Sequence, residues 1–160
     1  MWRRVQGLFT SSPPNFSWVS ERIAASGLPS RKRHLRWLRS SGITAVLSLT
    51  ENPLPKHLTD FEPIIFIHIP MRNHEKPPPE KLARAIRELD RLVKSGERVL
   101  VHCTAGLGRT GTVLAAYIIY GDGLDYLKAV EKIRIIRPGS IDDVQVESLR
   151  EFEMMIRAGS

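Results

Sequence analysis

The sequence predicts one α/β domain whose central sheet is mostly parallel and flanked by helices. Short apolar runs typical of buried strands alternate with stretches that repeat apolar residues at helical spacing, and this alternation favours a parallel sheet covered by helices. A loop of small residues also joins one strand to a helix, at the end of the strand where α/β proteins bind ligands. A chain of 160 residues suits one domain with a core of its own.

The predicted elements follow one another with clear boundaries. We assign residues 1–12 to a loosely held lead-in and residues 13–160 to the domain. Strands are predicted over residues 15–19, 44–49, 64–69 and 99–101. Helices are predicted over residues 31–40, from Pro79 to just before Gly96, and over 110–120, 125–136 and 142–157. Ser30 is the expected N-cap of the first helix, Gly42 its end, and Leu35 and Leu38 its buried side chains.

The most informative stretch is Val99 to Thr112, VLVHCTAGLGRTGT. A buried strand leads into His102 and the only cysteine, Cys103, and a helix begins where the loop ends at Arg109. Glycines in such a loop let backbone N–H groups converge on an anion, and the positive end of the helix points to the same place. The guanidinium of Arg109 can bind two phosphate oxygens at once. The positive charge of the guanidinium and of the helix end favours the reactive thiolate form of Cys103.

A plainer interpretation of this stretch is a buried core cysteine followed by a tight turn, because free cysteine is among the most buried residue types. The combination of His102, Cys103, two glycines, Arg109 and Thr110 at fixed offsets between a strand and a helix favours a phosphate site with a sulfur nucleophile. A nucleotide-binding loop is excluded because no Gly-Lys-Ser/Thr follows the glycines.

The segment HCTAGLGRTG resembles the His-Cys-x5-Arg-Ser/Thr loop of the cysteine-based protein tyrosine phosphatases. Two flanking strings, PPNFSWV at 13–19 and RPGSI at 137–141, resemble the small atypical dual-specificity phosphatases of the VHZ-like and archaeal type. The likeness extends from Pro13 to the last predicted helix. It implies a protein tyrosine phosphatase-like fold of the dual-specificity type.

The resemblance also implies the chemistry. The Cys103 thiolate would attack phosphorus to give a cysteinyl-phosphate, which water then hydrolyses. His102 would orient the loop, and the Thr110 hydroxyl would reach back to the sulfur. Phosphate contacts are expected from Thr104, Ala105, Gly106, Leu107, Gly108 and Arg109. Neither a metal nor another cofactor is expected, and the expected partners are phosphorylated proteins or peptides.

The position of the general acid departs from the family pattern. Aligning the proline-rich segment 77–80 with the family puts Asn73 where an aspartic acid is expected. An amide cannot transfer a proton, and general acid catalysis typically contributes about 10²–10⁴-fold. Glu75, which we favour, or His74 could replace the acid, or the enzyme could work without one. The remaining alternative is a phosphate-dependent binding or substrate-trapping module with impaired turnover, or an engineered variant.

The segment after RPGS also departs from the family pattern. The family carries a glutamine here that positions the hydrolytic water, and Gln145 is the nearest candidate, one place from the expected register. Asp142 or Asp143 could share that role. Equally, the two aspartates could simply favour the positive end of the last helix.

The loop residues narrow the expected substrate. The lysines of phosphoinositide phosphatases are absent from the loop, and Ala105 stands where RNA triphosphatases carry a histidine. The chain is also too short for the elements that deepen the pocket of classical tyrosine-specific enzymes. We therefore expect a shallow pocket that accepts phosphotyrosine together with phosphoserine and phosphothreonine.

The charge and the composition of the chain say less about its function than the motif around Cys103 does. A net charge of +7 and a pI near 10.0 fit attraction of acidic substrates, nucleic-acid binding or background composition. We expect no nucleic-acid partner, because the sequence contains no recognised nucleic-acid-binding motif. The small number of Asn and Gln residues is a tendency of proteins from thermophiles. A single cysteine and the absence of a long apolar run indicate a cytoplasmic protein away from membranes, and a monomer is expected. A basic cluster in the first helix is interpreted as its solvated face: Arg31, Lys32, Arg33, Arg36 and Arg39.

Overall fold

The computed structural model describes residues 11–159, so residues 1–10 of the predicted lead-in and Ser160 lie outside the described part of the chain. Five strands form one sheet in the order β1-β2-β5-β3-β4. All neighbouring pairs are parallel except β1 with β2. The strands are β1 (Ser17–Trp18), β2 (Ile23–Ser26), β3 (Ala45–Ser48), β4 (Ile65–His68) and β5 (Val99–His102). The α/β class and the mostly parallel sheet are thus confirmed.

Among residues 11–159, six helices connect or follow the strands. They are α1 (Lys32–Ser40), α2 (Lys56–Thr59), α3 (Pro79–Lys94), α4 (Gly108–Asp122), α5 (Tyr126–Ile136) and α6 (Asp143–Ala158). In the part of the chain that the structure describes, none of them is long and apolar enough to cross a membrane.

Each face of the sheet carries its own core, because successive strand residues point to opposite faces. The larger core joins β-strand residues such as Leu47 and Val101 to the apolar sides of α3, α4, α5 and α6. The smaller core joins Val46 and Leu100 to Leu35 and Leu38 of α1 and to the segment around α2. Both faces are therefore covered, as parallel sheets require.

The sequence missed two elements and misplaced two boundaries. Strand β2 is only four residues long and contains two alanines, so its own strand propensity is low. Its pairing with β1 and β5 stabilises it instead. Helix α2 is a single turn. The predicted strand 15–19 shrinks to β1, because Asn15 adopts a φ of 57°. The N-cap of α1 is Arg31 and not Ser30, since the backbone N–H of Arg31 donates to Nδ1 of His34.

One buried side chain ties the N-terminal strands to the loop after β5. Arg137, at the C-terminal end of α5, is 3% exposed. Its guanidinium donates to the carbonyl of Gly106 at 2.7 Å, to the carbonyl of Asn15 at 2.9 Å and to Oγ of Ser17 at 2.6 Å. Hydrogen bonds from a charged donor are the strong ones in proteins. Arg137 therefore holds together three segments that are distant in the sequence.

Replacing this arginine should destabilise the fold. We expect Arg137→Met to lower the free energy of unfolding by about 3 kcal/mol, because it leaves buried carbonyl groups without a donor. Urea unfolding followed by tryptophan fluorescence measures the loss. Arg84→Met, an exposed position on α3, is the matched control and should stay within about 0.5 kcal/mol of the parent. Equal stability of the two variants would contradict the structural role.

Candidate active site

The loop between β5 and α4 is held against the end of β2 by close backbone contacts. Gly106 has a φ of 79°, and a Cβ there would lie 2.4 Å from the carbonyl carbon of Ser26. A Cβ on Gly27 would lie 2.8 Å from the carbonyl oxygen of Thr104. The backbone N–H of Leu28 donates to that same oxygen at 3.0 Å. Only glycine fits at position 106, and the loop is fixed in a tight curve around Cys103.

Cys103 lies at the centre of this curve as a free thiol that is 2% exposed. The backbone N–H of Gly106 donates to its Sγ at 3.2 Å. Helix α4 begins five residues later at Gly108, with Leu107 as its N-cap residue. The sulfur is thus close to the positive end of a 15-residue helix.

Arg109 reaches the same place from the first turn of α4. Its side chain is 3% exposed and donates to the carbonyl of Met71 at 3.1 Å and to Oγ1 of Thr104 at 3.0 Å. Its Nε is buried and has no hydrogen-bond acceptor among residues 11–159. Buried donors in native proteins nearly always have partners, so an unpaired N–H on a guanidinium points to a ligand.

The hydroxyl of Thr110 does not contact the sulfur in this structure. Thr110 is fully buried, and its Oγ1 has no partner among the described residues. Of the other loop residues, Ala105 is exposed and its carbonyl accepts from the Asn15 side chain at 3.2 Å, while Leu107 is half-buried. Among loop residues 104–108, Leu107 is thus the only large side chain, and Ala105 is the exposed residue.

His102 is fully buried at the end of β5 and does not face the cavity. Its Nδ1 lies 3.1 Å from the carbonyl of Cys103, and its Nε2 lies 2.6 Å from Oγ of Ser48. Burial lowers the pKa of His102 to about 4, so the ring is neutral at physiological pH. A neutral ring satisfies both contacts when Nδ1–H donates to the carbonyl and Nε2 accepts from the serine hydroxyl. The ring contacts the backbone of Cys103 and not its sulfur.

A cavity of about 360 Å³ opens beside Arg109. Its walls come from four parts of the chain: the segment after β2, the segment after β3, the loop after β4, and the loop after β5 with the first turn of α4. The lining residues are Leu28, Thr50, Glu51, Asn52, Pro53, Leu54, Pro55, Asn73, Thr104 and Arg109. The lining thus combines apolar and polar side chains, and it includes the family's expected acid position, Asn73.

The loop after β4 places the two candidate substitute acids away from this cavity. Glu75 lines a different cleft of about 230 Å³ and lies 3.8 Å from the guanidinium of Arg72. His74 has a φ of 58°, and its Nδ1 lies 2.9 Å from Oδ2 of Asp142. The structure therefore does not bring Glu75 to the side of Arg109, because the backbone turns at His74 and directs the next residue away.

Glu51 is a carboxyl that the sequence reasoning missed. It follows β3 by three residues, lines the cavity together with Arg109 and Asn73, and its Oε1 accepts from the backbone N–H of Asn73 at 3.2 Å. The sequence feature that could have identified Glu51 is its position just after the carboxyl end of a strand, the edge where this fold binds ligands. By contrast, His68 ends β4 and donates to the carbonyl of Thr50 at 2.7 Å, as a structural residue does.

Gln145 packs under the loop from the first turn of α6. It is fully buried, and its Oε1 accepts from the backbone N–H of Asp142 at 2.8 Å. Its Nε2 has no partner among the described residues, and it would lie 3.1 Å from a Cβ on Gly108. Asp142 is the N-cap of α6 and Asp143 lies in its first turn, so both aspartates also favour the positive end of that helix.

Within residues 11–159, no group of three or more His, Cys, Asp or Glu side chains is arranged to hold a metal ion. The described site consists instead of a thiol, a buried guanidinium, loop amides and nearby carboxyl groups. These groups are suited to binding and displacing a phosphate ester.

Fold and site together define a cysteine-dependent phosphatase, and comparisons with known proteins identify its family. Residues 13–149 match the family described as "Swiss Army Knife protein, DSP-PTPase phosphatase domain". The chain therefore belongs to the cysteine-based protein tyrosine phosphatase superfamily, as a small atypical dual-specificity phosphatase. The expectation from the sequence motif is confirmed.

Individual proteins agree with this assignment. Human dual specificity protein phosphatase 12 is 33% identical over 105 residues, which cover 63% of this chain and 30% of that protein. Mouse dual specificity protein phosphatase CDC14A is 45% identical over 53 residues, 33% of this chain and 9% of that protein. The chain thus corresponds to less than a third of these relatives. The solved structure of Tk-PTP in the active form is 31% identical, with a TM-score of 0.80 over 88% of this chain and 97% of that one.

The buried neutral state of His102 predicts a pH dependence of stability. Its pKa of about 4 in the folded protein is below its ordinary value of 6.5, so the unfolded chain binds a proton first as the pH falls. The free energy of unfolding should be highest above pH 6.5 and fall by about 3 kcal/mol between pH 6.5 and pH 4. Urea unfolding across this range measures the slope.

His102→Gln should remove this contribution to the slope, whereas the exposed His57→Gln should retain it. Comparison of the two variants separates the buried histidine from the carboxyl groups that titrate in the same range. An unchanged slope in His102→Gln would show that the ring is not held neutral by burial.

Proposed function

We propose that the protein hydrolyses phosphotyrosine, and with it phosphoserine and phosphothreonine, in phosphorylated proteins through a cysteinyl-phosphate intermediate. The observation that carries this proposal is the buried guanidinium of Arg109. Its Nε is unpaired among the described residues, and Arg109 lines a cavity whose wall includes Thr104, the residue next to Cys103. A dianionic phosphate placed there meets both the nucleophile and a forked donor.

The reaction proceeds in two displacements. In the first, Sγ of Cys103 forms a bond to phosphorus as the bond to the ester oxygen breaks, and the leaving oxygen takes up a proton. In the second, water attacks phosphorus, the P–S bond breaks, and inorganic phosphate and the thiolate are released. Arg109 and the amides of residues 104–109 bind the equatorial oxygens, where preorganised donors stabilise the transition state most.

The apolar residues of the cavity lining support an aromatic substrate. Leu28, Pro53, Leu54 and Pro55 line the cavity, and these side chains offer a surface on which a phenyl ring packs without losing hydrogen bonds. The small side chains of Thr104 and Ala105 in the loop after β5 support acceptance of the shorter phosphoserine and phosphothreonine side chains as well.

Glu51 is our choice for the proton donor. It is the described carboxyl group that lines the cavity with Arg109 and Asn73, whereas Glu75 lies in the neighbouring cleft. Since Asn73 holds Glu51 through its backbone N–H, the two residues occupy the same side of the bound ester. A protonated Glu51 would donate to the leaving oxygen and later accept a proton from the attacking water.

The other site residues support this chemistry indirectly. His102 fixes the backbone of Cys103, and the buried Thr110 hydroxyl would turn to the sulfur when the leaving thiolate forms. Gln145, whose Nε2 lies beneath the loop at Gly108, would position the hydrolytic water with help from Asp142. No metal or other cofactor enters either step.

A second candidate function is a phosphate-dependent binding or trapping module. Asn73 favours it, because an amide at the acid position binds a phosphorylated partner without speeding its release. For either function we propose a monomer acting in the cytoplasm, where a reducing environment keeps the single cysteine as a thiol.

Turnover of a tyrosine-phosphorylated peptide tests the main proposal. The parent protein should release inorganic phosphate over many cycles and show a covalent phosphoenzyme after acid quench. Cys103→Ser should still bind the peptide but lose phosphate release by several orders of magnitude, because a hydroxyl is a far weaker nucleophile than a thiolate. Tight binding by the parent without repeated turnover would favour the trapping module instead.

The pH profile of kcat identifies the proton donor. Glu51→Gln should lower kcat by about 10²–10⁴-fold on the phosphopeptide and abolish the fall in rate at high pH. Glu75→Gln is the matched control, with the same substitution in the neighbouring cleft, and should keep the parent profile. Asn73→Asp should raise kcat by adding a second carboxyl to the cavity. A normal profile in Glu51→Gln would exclude Glu51, and loss of the limb in Glu75→Gln or His74→Gln would assign the role there.

A further inference from the structure

The surface next to the cavity carries an excess of positive charge. Between residues 31 and 63 the chain has six lysine and arginine side chains against three carboxyl groups, Glu51, Asp60 and Glu62. The six cations are Arg31, Lys32, Arg33, Arg36, Arg39 and Lys56, and all are exposed. This excess does not extend over the whole molecule, since α6 carries four acidic residues and only two arginines.

Ion pairing distinguishes this surface from the helices on the other face of the sheet. Among residues 11–159, none of these six cations forms an ion pair with a carboxylate. Ion pairs do occur along α3, α5 and α6, for example Arg91 with Glu88 and Arg157 with Glu153. The positive charge beside the cavity is therefore available to a partner.

Three of the cations form a row on α1. Lys32, Arg36 and Arg39 are spaced i, i+4 and i+7, so they lie along one side of the helix. The first two are positioned over the ring of Phe61, with Lys32 Nζ 5.2 Å and Arg36 Cζ 5.3 Å from its centroid. Arg39 donates to the carbonyl of Pro63 at 3.1 Å. These contacts hold the row against the segment that follows α2.

The row lies on the helix that follows one wall of the cavity. Leu28, four residues before α1, lines the cavity, and its backbone N–H donates to the carbonyl of Thr104. Lys56, the first residue of α2, directly follows Pro55 of the cavity wall. The basic track is our name for four residues of these two segments: Lys32, Arg36 and Arg39 on α1, and Lys56 on α2.

We propose that the basic track binds an acidic run of the substrate protein next to its phosphorylated residue. This proposal rests on the proposed function, since it places the phosphate in the cavity. From Lys32 to Arg39 the helix rises about 10 Å, and an extended peptide covers that length with about three residues. A run of three or four aspartates or glutamates close to the phosphorylated residue matches the track in charge and length.

A protein substrate explains the arrangement better than a membrane or nucleic acid does. Three of the four track residues form a row along α1, and the residues Leu28 before α1 and Pro55 before α2 line the cavity, which suits one extended strand of peptide. The exposed carboxyl group of Asp60 and the half-buried one of Glu62 flank Phe61 in the sequence and would repel a broad anionic surface. Complementary charge of this kind raises the association rate and selects among partners more than it raises affinity at saturation.

The experiment compares two triple variants that each remove three positive charges. One is Lys32→Gln, Arg36→Gln, Lys56→Gln in the track, and the control is Arg84→Gln, Arg87→Gln, Lys128→Gln at exposed positions on α3 and α5. The substrates are a tyrosine-phosphorylated peptide with four flanking glutamates, its counterpart with four glutamines, and p-nitrophenyl phosphate. Rates are measured at low and high salt.

We expect the track variant to lose about tenfold in kcat/KM on the acidic peptide through a higher KM, with kcat unchanged. The same variant should act normally on the glutamine peptide and on p-nitrophenyl phosphate, and the control variant should act normally on all three. High salt should remove the parent's preference for the acidic peptide.

Other outcomes would overturn the proposal. Equal kcat/KM for the acidic and glutamine peptides in the parent, or equal losses in both triple variants, would show that the track does not select substrates. Binding of phosphatidylserine vesicles or single-stranded RNA that depends on the track, with peptide kinetics unaffected, would assign it to another partner. Failure of the parent on p-nitrophenyl phosphate would count against the proposed function instead.

Discussion

The site depends on a contact between two glycines and the backbone of the opposite segment. Gly106 and Gly27 face each other across the end of β2, at a separation that leaves no room for a Cβ on either residue. This contact holds the loop after β5 against the end of β2, and the N–H of Gly106 donates to the sulfur of Cys103. The charge of Arg109 and the dipole of α4 then act on a thiol whose position is already fixed, which is how electrostatic catalysis is preorganised.

That contact is reinforced from the rest of the fold. Arg137 donates to Gly106 and Asn15, while His102 and Ser48 fix the strand that precedes the thiol. The supporting residues come from both ends of the domain, so the loop is shaped by tertiary packing as much as by its own sequence. The supporting guanidinium of Arg137 is buried. The cations of α1, by contrast, are exposed and form no ion pair with a carboxylate among the described residues.

The sequence was informative where local chemistry determines structure. The strand–loop–helix around Cys103 could be predicted because glycine spacing, apolar periodicity and the cysteine–arginine pair all indicate the same geometry. Strand β2 could not, since Ile-Ala-Ala-Ser has little strand propensity without its neighbours. The contact of Glu51 with Asn73 was equally hidden, because it depends on the packing of two loops that are distant in the sequence. Glu75, two residues from Asn73, lines a different cleft, and the residue between them, His74, has a positive φ.

The loop after β4 also has a consequence for how the site is assembled. His74 contacts Asp142, Lys76 pairs with Glu151, and the Ser148 hydroxyl donates to the carbonyl of Pro77. These contacts join segments about 70 residues apart, so α6 holds the loop that carries Asn73. One part of the cavity wall therefore depends on the docking of the last helix. A chain folded only around the cysteine motif would lack that support.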